Sequence, residues 1–293
     1  MAWLINAAQL DKFRKSQKSL VILDASWHAP TTQRNAKQEF AEKHIIGAQF
    51  LDIDLFNDTN GAHPKMLLRD AALLSERLGH LGLRNDFKII FYDNSQLHTA
   101  CRALWMFKMM GHNPQQLYIF DGNLDTWEKS GGKVESGEVT ISPKSYTVNW
   151  QARYLRTLAE MKDNLLNPKE QVVDMRHAVR YAGGPEDRSG LRPGHIPGSY
   201  SFPYSSFFDA NGQWRSPDKI RACLNGIGLD LHSPIITTCG SGTTAAIMNF
   251  ALDILNLEQN AMYNGSWTEW GSEKCFAEEQ SLDERPVATC TDN

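Results

Sequence analysis

The sequence predicts two tandem α/β domains, each a parallel sheet flanked by helices on both faces. Three observations carry that expectation. The chain has 293 residues, more than one hydrophobic core usually serves. Apolar β-rich runs alternate with stretches of helical spacing, the pattern of strands buried on both faces. The same landmarks also occur twice, in the same order, about 150 residues apart.

In the first copy, residues 1–19 (MAWLINAAQLDKFRKSQKS) lack the basic segment, apolar core and small-residue cleavage site of a secretory leader. They are expected to form the first helix. LVILDAS (20–26) follows as a strand ending at Asp24, then HIIGAQF (44–50) and the strand KIIFYD (88–93). LHTACRALWMFKMM (97–110) is helical, QLYIF (116–120) is a strand and LDTWEKS (124–130) is a helix. The second copy repeats the series. QVVDMR (171–176) ends its strand at Asp174, HIPGSYS (195–201) matches HIIGAQF, and PIITTC (234–239) matches KIIFYD. Ile247, Phe250, Ala251, Ile254 and Leu255 then recur at amphipathic helical spacing, and YNGSWTEW (263–270) matches FDGNLDTW (120–127). The expected boundaries are 1–138 for the first domain, 139–155 for a linker and 156–293 for the second.

A net charge of −4 gives no general basic footprint for nucleic acid or a membrane surface. No apolar run approaches the roughly eighteen residues of a membrane span. The five cysteines (Cys101, Cys223, Cys239, Cys275 and Cys290) are odd in number, scattered and without a Cys-x-x-Cys pair. This argues against a disulfide framework or zinc site and for a reducing, cytoplasmic compartment.

Cys239 stands apart from the other four. It lies between a β-rich run and a helix start, followed by Gly240, Ser241, Gly242, Thr243 and Thr244. Two glycines allow positive φ and let backbone N–H groups converge. Such a nest at a helix N-terminus stabilises an anion, here a nucleophilic thiolate or the persulfide formed from it. Ser241, Thr243 and Thr244 are expected to add donors. The corresponding position in the first copy is Asp93, in a loop without glycines, so one copy carries the chemistry and the other is scaffold. Two rival readings fail on composition. GSGTTA (240–245) fits a dinucleotide fingerprint, but the next strand ends at Asn264 rather than at an acid. A cysteine phosphatase needs an arginine six residues after the cysteine, where this chain has Ala245.

The loop CGSGTTA, the turn RPGHIPGS, the ending YNGSWTEW and the duplication together resemble the two-domain rhodanese superfamily over nearly the whole chain. Within it, Gly240 and Ser241 resemble the branch that takes sulfur from 3-mercaptopyruvate, since thiosulfate users carry Arg and Lys there. The resemblance implies transfer through a Cys239 persulfide to a thiol acceptor (a small thiol or thioredoxin) or cyanide, with no cofactor and no metal. The alternatives are a thiosulfate:cyanide sulfurtransferase or a persulfide carrier without turnover. Mapped onto VRYAGGPEDR (179–188), the family pattern makes Arg180 and Arg188 the ligands of an α-keto carboxylate, a task suited to the planar guanidinium. Arg176 and Arg192 lie nearby, where the ordinary state of a surface arginine is a solvated charge. The family's Ser-His-Asp relay maps onto Ser241 and Asp54, while its histidine falls on Lys65, with His63 as a substitute. His195, repeated by His44, is expected to be a structural turn residue.

Overall fold

The computed structural model describes residues 3–58, 69–186, 188–276 and 279–290. They gather into two compact units. One takes most of the chain through Gln151 together with Ala210–Trp214, and the other takes Ala152–Asp209 and the chain from Arg215.

In the first unit the aliphatic runs form strands β1 (Leu4–Ile5), β2 (Leu20–Asp24), β4 (Ala48–Phe50), β5 (Lys88–Tyr92) and β6 (Leu117–Phe120). They make one sheet in the order β1-β6-β5-β2-β4, every pair parallel. A short antiparallel ribbon joins β3 (His44–Ile45) to β7 (Val134–Glu135). In the second unit β8 (Leu155–Arg156), β9 (Gln171–Asp174), β10 (Tyr200–Ser201), β11 (Ile235–Thr238) and β12 (Asn260–Tyr263) form a sheet in the order β10-β9-β11-β12-β8, again all parallel. Read from the opposite edge, the first order is the second with each strand replaced by its counterpart.

Helices supply the crossovers that parallel strands require. These are α1 (Ala7–Ser16), α2 (Ala36–Glu42), α3 (Ala71–His80), α4 (Ala100–Met109) and α5 (Leu124–Lys129) in the first unit. In the second they are α6 (Leu158–Leu166), α7 (Ala178–Tyr181), α8 (Pro217–Gly226), α9 (Ala245–Ile254) and α10 (Ser266–Trp270). The first helix begins at Ala7, not at the start of the chain, because Asn6 caps it reciprocally with Gln9 and Leu4–Ile5 pairs with β6. The amphipathic pattern read for residues 247–255 is also corrected. Every residue of α9 from Ala245 to Asp253 is buried, as is every residue of α4. Small residues and polar groups with partners allow this: Asn249, for example, donates to the Thr237 hydroxyl at 2.5 Å. Residues beyond β7 hold no further element until Ala152. They lie along the first unit through Lys144, Asn149 and Gln151, whose N–H groups donate to Gly79, Met110 and Met109.

The duplication reaches side-chain detail. His44 and His195 each stack on an aromatic ring (Phe40 at 3.9 Å, Tyr181 at 3.7 Å) and each engages that residue's carbonyl through Nδ1 at 2.7 Å. His195 also pairs with Ala288 across a β-bridge. Trp127 and Trp270 each meet a strand aromatic edge-on (Phe120 and Tyr263) and donate Nε1–H to a later carbonyl, that of Lys133 and of Pro286.

The last segment is fastened by Arg285, whose side chain is fully buried. Its guanidinium donates to the carbonyls of Glu269, Trp270, Ser272 and Lys274 and to the Glu279 carboxylate, at 2.6–3.1 Å. Removing a buried cation of this kind leaves several acceptors without donors. Arg285→Ala is expected to cost about 3–5 kcal/mol, read as a lower urea midpoint. A midpoint within error of wild type would show that solvent replaces those bonds.

Candidate active site

Cys239 follows directly on β11, at the carboxyl end of a central strand, the usual position for a site in open parallel sheets. It is 2% exposed. Its loop is held by the start of α10, where Trp267 N–H donates to the Cys239 carbonyl and Thr268 N–H to the Gly240 carbonyl, both at 2.9 Å. Donors that a helix start leaves unpaired are thus used on this loop. Because a trans peptide sets its carbonyl opposite its N–H, the N–H groups of Gly240 and Ser241 point away from α10. Ser266 adds a third tether: its hydroxyl accepts from Cys239 N–H at 3.3 Å and donates to the Tyr263 carbonyl at 2.9 Å. It does so from the left-handed region, at φ +52°, a conformation that non-glycine residues adopt only when surroundings enforce it.

The two glycines serve different needs. Gly242 takes the expected positive φ, +80°, and aims its N–H at the Cys239 sulfur at 3.1 Å. Gly240 does not adopt positive φ. The Arg188 guanidinium lies over it, and a Cβ there would sit 3.4 Å from Arg188 Nη2 and 3.5 Å from Nη1, in ordinary van der Waals contact. The nest expected from residues 240–244 therefore has one backbone N–H in hydrogen-bond contact with sulfur. Ser241 and Thr244 are partly exposed, Thr243 is buried, and the Thr244 side chain makes no capping hydrogen bond to α9.

Arg188 Nη1 donates to the Gly240 carbonyl at 3.2 Å and to the Thr268 hydroxyl at 2.9 Å. Its Nη2, packed over Gly240, is buried without a hydrogen-bond partner. Arg180 reaches the same cluster through Glu186, which accepts from Arg180 Nη2 and from Arg188 Nε at 3.2 Å. Arg176 and Arg192 are not solvated charges. Arg176 is buried on Asp174 at 2.7 Å and stacks over Trp267 at 4.2 Å, while Arg192 donates to the carbonyls of Trp270 and Arg285.

Asp54 lies in the first unit, where its carboxylate accepts from Trp27 Nε1 at 2.6 Å and from Asn57 at 2.9 Å. His63 and Lys65 fall outside the described residues. Sequence reasoning missed Glu186, Ser266 and Thr268. Glu186 sat inside the arginine motif and Ser266 and Thr268 inside the repeated ending, so only their contacts reveal their work. Among the described residues no group of three or more His, Cys, Asp or Glu side chains could hold a metal ion.

The first unit shows what its version of this loop does. The Asp93 carboxylate accepts N–H donors from Ser95 and from Ala100, the first residue of α4, at 2.9 Å each. A built-in carboxylate therefore occupies the helix start there. Burial, with a smaller contribution from the Asp24 charge, raises the pKa of Asp93 to about 7 against the pull of those donors.

Tandem parallel α/β units with a strand-end cysteine, its sulfur facing a backbone N–H and a guanidinium beside its loop, suit covalent chemistry at sulfur. The chain matches the rhodanese-like domain twice, over residues 6–130 and 157–273, and it belongs to that family. It is 35% identical to human 3-mercaptopyruvate sulfurtransferase over 87% of this chain and 86% of that one. It is 36% identical to rat thiosulfate sulfurtransferase over 86% and 85%. The structure of the 3-mercaptopyruvate sulfotransferase SseA of Escherichia coli superposes with a TM-score of 0.82 at 29% identity, covering 91% of this chain and 99% of that chain. The protein is a sulfurtransferase.

A carboxyl whose pKa is higher in the folded than in the unfolded chain favours folding fully at low pH. That contribution is lost as pH rises through the folded value. For Asp93 the window runs from about pH 4 to about 7. The thermal midpoint of wild type is expected to fall relative to Asp93→Asn across this window, by the equivalent of on the order of 4 kcal/mol. A difference independent of pH would show that Asp93 stays ionised throughout.

Proposed function

We propose that the protein moves sulfur from 3-mercaptopyruvate through a Cys239 persulfide to a thiol acceptor or cyanide. The observation that carries this reading is the buried, unpartnered Nη2 of Arg188 above Gly240, a cation poised for an α-keto carboxylate next to the nucleophile. Identity to relatives does not choose the donor, since it is 35% to a mercaptopyruvate enzyme and 36% to a thiosulfate enzyme. Supporting the choice are Gly240 and Ser241, which bring no cation of their own, and the arginines of residues 180–188, which do.

In the first half-reaction the Cys239 thiolate attacks the donor sulfur. An S–S bond forms, the donor C–S bond breaks, and its electron pair leaves with carbon as the enolate of pyruvate. The proton of the former donor thiol, transferred directly or relayed through Ser241, then reaches that carbon, leaving a Cys239 persulfide anion and pyruvate. Arg188 and Arg180 hold the carboxylate and carbonyl oxygens, and Arg188 also offsets the charge that develops on the enolate oxygen. Gly242 N–H and the small residues around it accommodate the outer sulfur. In the second half, cyanide attacks that sulfur and leaves as thiocyanate, or a thiolate attacks and leaves as a persulfide. Either restores the thiolate. The cycle is ping-pong covalent catalysis and calls for no metal or organic cofactor. The family's relay pattern, mapped by sequence, falls on Ser241, on Asp54 and on Lys65 or His63; Lys65→His tests that mapping and is expected to raise mercaptopyruvate turnover. Small thiols and thioredoxin are the acceptors we assign, and the odd, scattered cysteines of the sequence support a reducing, cytoplasmic setting. No described helix is long and apolar enough to cross a membrane.

Incubation with 3-mercaptopyruvate is expected to add about 32 Da, one sulfur, to the Cys239 peptide in mass spectra, and nothing to Cys239→Ser. A wild-type peptide without that gain, or a strong preference for thiosulfate in steady-state turnover, would overturn the assignment. Arg188→Ala is expected to lower kcat/KM for mercaptopyruvate roughly a hundredfold, the worth of a charged hydrogen bond of about 3 kcal/mol, while the protein remains folded by circular dichroism.

A further inference from the structure

Beneath the two donor-facing arginines lies an acid that the mechanism does not use. The Glu186 side chain is only 4% exposed, whereas those of Arg180 and Arg188 are 26% and 33% exposed. One of its oxygens accepts from Arg180 Nη2, from Arg188 Nε at 3.2 Å and from the Arg188 backbone N–H at 3.4 Å. The other lies 3.9 Å from Arg176 Nη1. A single carboxylate thus joins three guanidinium groups from residues 176–188, of which Arg188 reaches the cysteine loop.

This arrangement has two consequences. Bonding through Arg188 Nε fixes the rotation of the guanidinium plane, so that Nη1 reaches Gly240 and Thr268 while Nη2 is left unpartnered. The acid also bears on the charge that a donor meets. Among the described residues of this cluster, Asp174 and Glu186 offset two of the three positive charges of Arg176, Arg180 and Arg188, and the Cys239 thiolate adds a further negative charge beside them. A negative charge held here opposes a dianion about twice as strongly as a monoanion. Mercaptopyruvate with its thiol protonated carries one negative charge, whereas thiosulfate carries two. In a partly buried site, where charge interactions are screened less than in water, this difference bears on donor choice.

We propose that Glu186 is a positioning and specificity-determining residue: it orients Arg180 and Arg188 and lowers the positive charge of the donor site by one, favouring a monoanionic sulfur donor over a dianionic one. The proposal rests on the reading of Arg180 and Arg188 as donor ligands. Specificity here is a difference between two affinities, and the buried acid acts mainly by disfavouring the dianion.

The test measures single-turnover formation of the Cys239 persulfide from 3-mercaptopyruvate and from thiosulfate, with wild type, Glu186→Gln and Glu186→Asp. Glu186→Gln keeps the shape and removes the charge, so the ratio of thiosulfate to mercaptopyruvate kcat/KM is expected to rise about tenfold or more. The change should lie mainly in KM. Glu186→Asp keeps the charge on a shorter arm and is expected to hold the wild-type ratio even where both rates fall. An unchanged ratio in Glu186→Gln, or equal shifts in the Gln and Asp variants, would overturn the role of charge. Wild type that forms no persulfide from either donor would overturn the donor-site reading itself, and this proposal with it.

Discussion

Two backbone hydrogen bonds, from Trp267 and Thr268 to the carbonyls of Cys239 and Gly240, are the constraint on which the rest of the site depends. They fix the direction of the peptide groups that leave β11. The Thr268 hydroxyl extends the arrangement, donating to the Gly240 carbonyl and accepting from Arg188. Helix α10 has only five residues, too few to be stable alone. Its hold comes from Trp267 and Trp270 in the core and from Arg285, which grips the carbonyls of Glu269 and Trp270. Support therefore runs from the last segment of the chain, through α10, to the cysteine loop and then to the guanidinium beside it.

The two units show how one backbone plan carries opposite local chemistry. Both place an acid at the end of a central strand, at Asp24 and Asp174. Two residues later the first unit has Ser26, and the Asp24 carboxyl, buried without a cation, has its pKa raised by that burial. The second unit has Arg176, which pairs with Asp174 and extends toward Glu186. At the next strand end the first unit spends its helix-start N–H groups on Asp93, a carboxyl group belonging to the fold. The second unit presents a sulfur instead, with Arg188 beside it on the Gly240 carbonyl. The difference between scaffold and site thus lies in which group the loop receives.

The fold was legible because it rests on patterns that repeat along the chain: continuous aliphatic strands, helical spacing and the doubled landmarks around His44 and His195 or Trp127 and Trp270. The cysteine loop was legible because its glycines are local. What escaped reading depends on contacts between distant positions. Arg188 meets Gly240 across 52 residues and Thr268 across 80, and no spacing rule links them. Gly240 was read as a source of positive φ, which it does not adopt. Helix α9 was read as amphipathic because its apolar residues recur on one face; its polar residues, Asn249 among them, are buried with partners that a sequence does not display.

Glu186 brings these threads together, because its place in the motif reveals little of its effect. A carboxylate near an anion-binding site opposes the anion by simple Coulomb repulsion, and selection for tight binding alone would remove it. Its position 4% exposed behind partly exposed arginines reconciles the two demands. Arg180 and Arg188 are more exposed than the acid, so a single negative charge still meets a favourable field, while a second finds part of that field already cancelled. The same bonds that reduce the charge also set the guanidinium angle that leaves Arg188 Nη2 free of internal partners. Orientation and charge are therefore coupled in one side chain. A site built on more arginines without the acid would bind anions more strongly and distinguish them less.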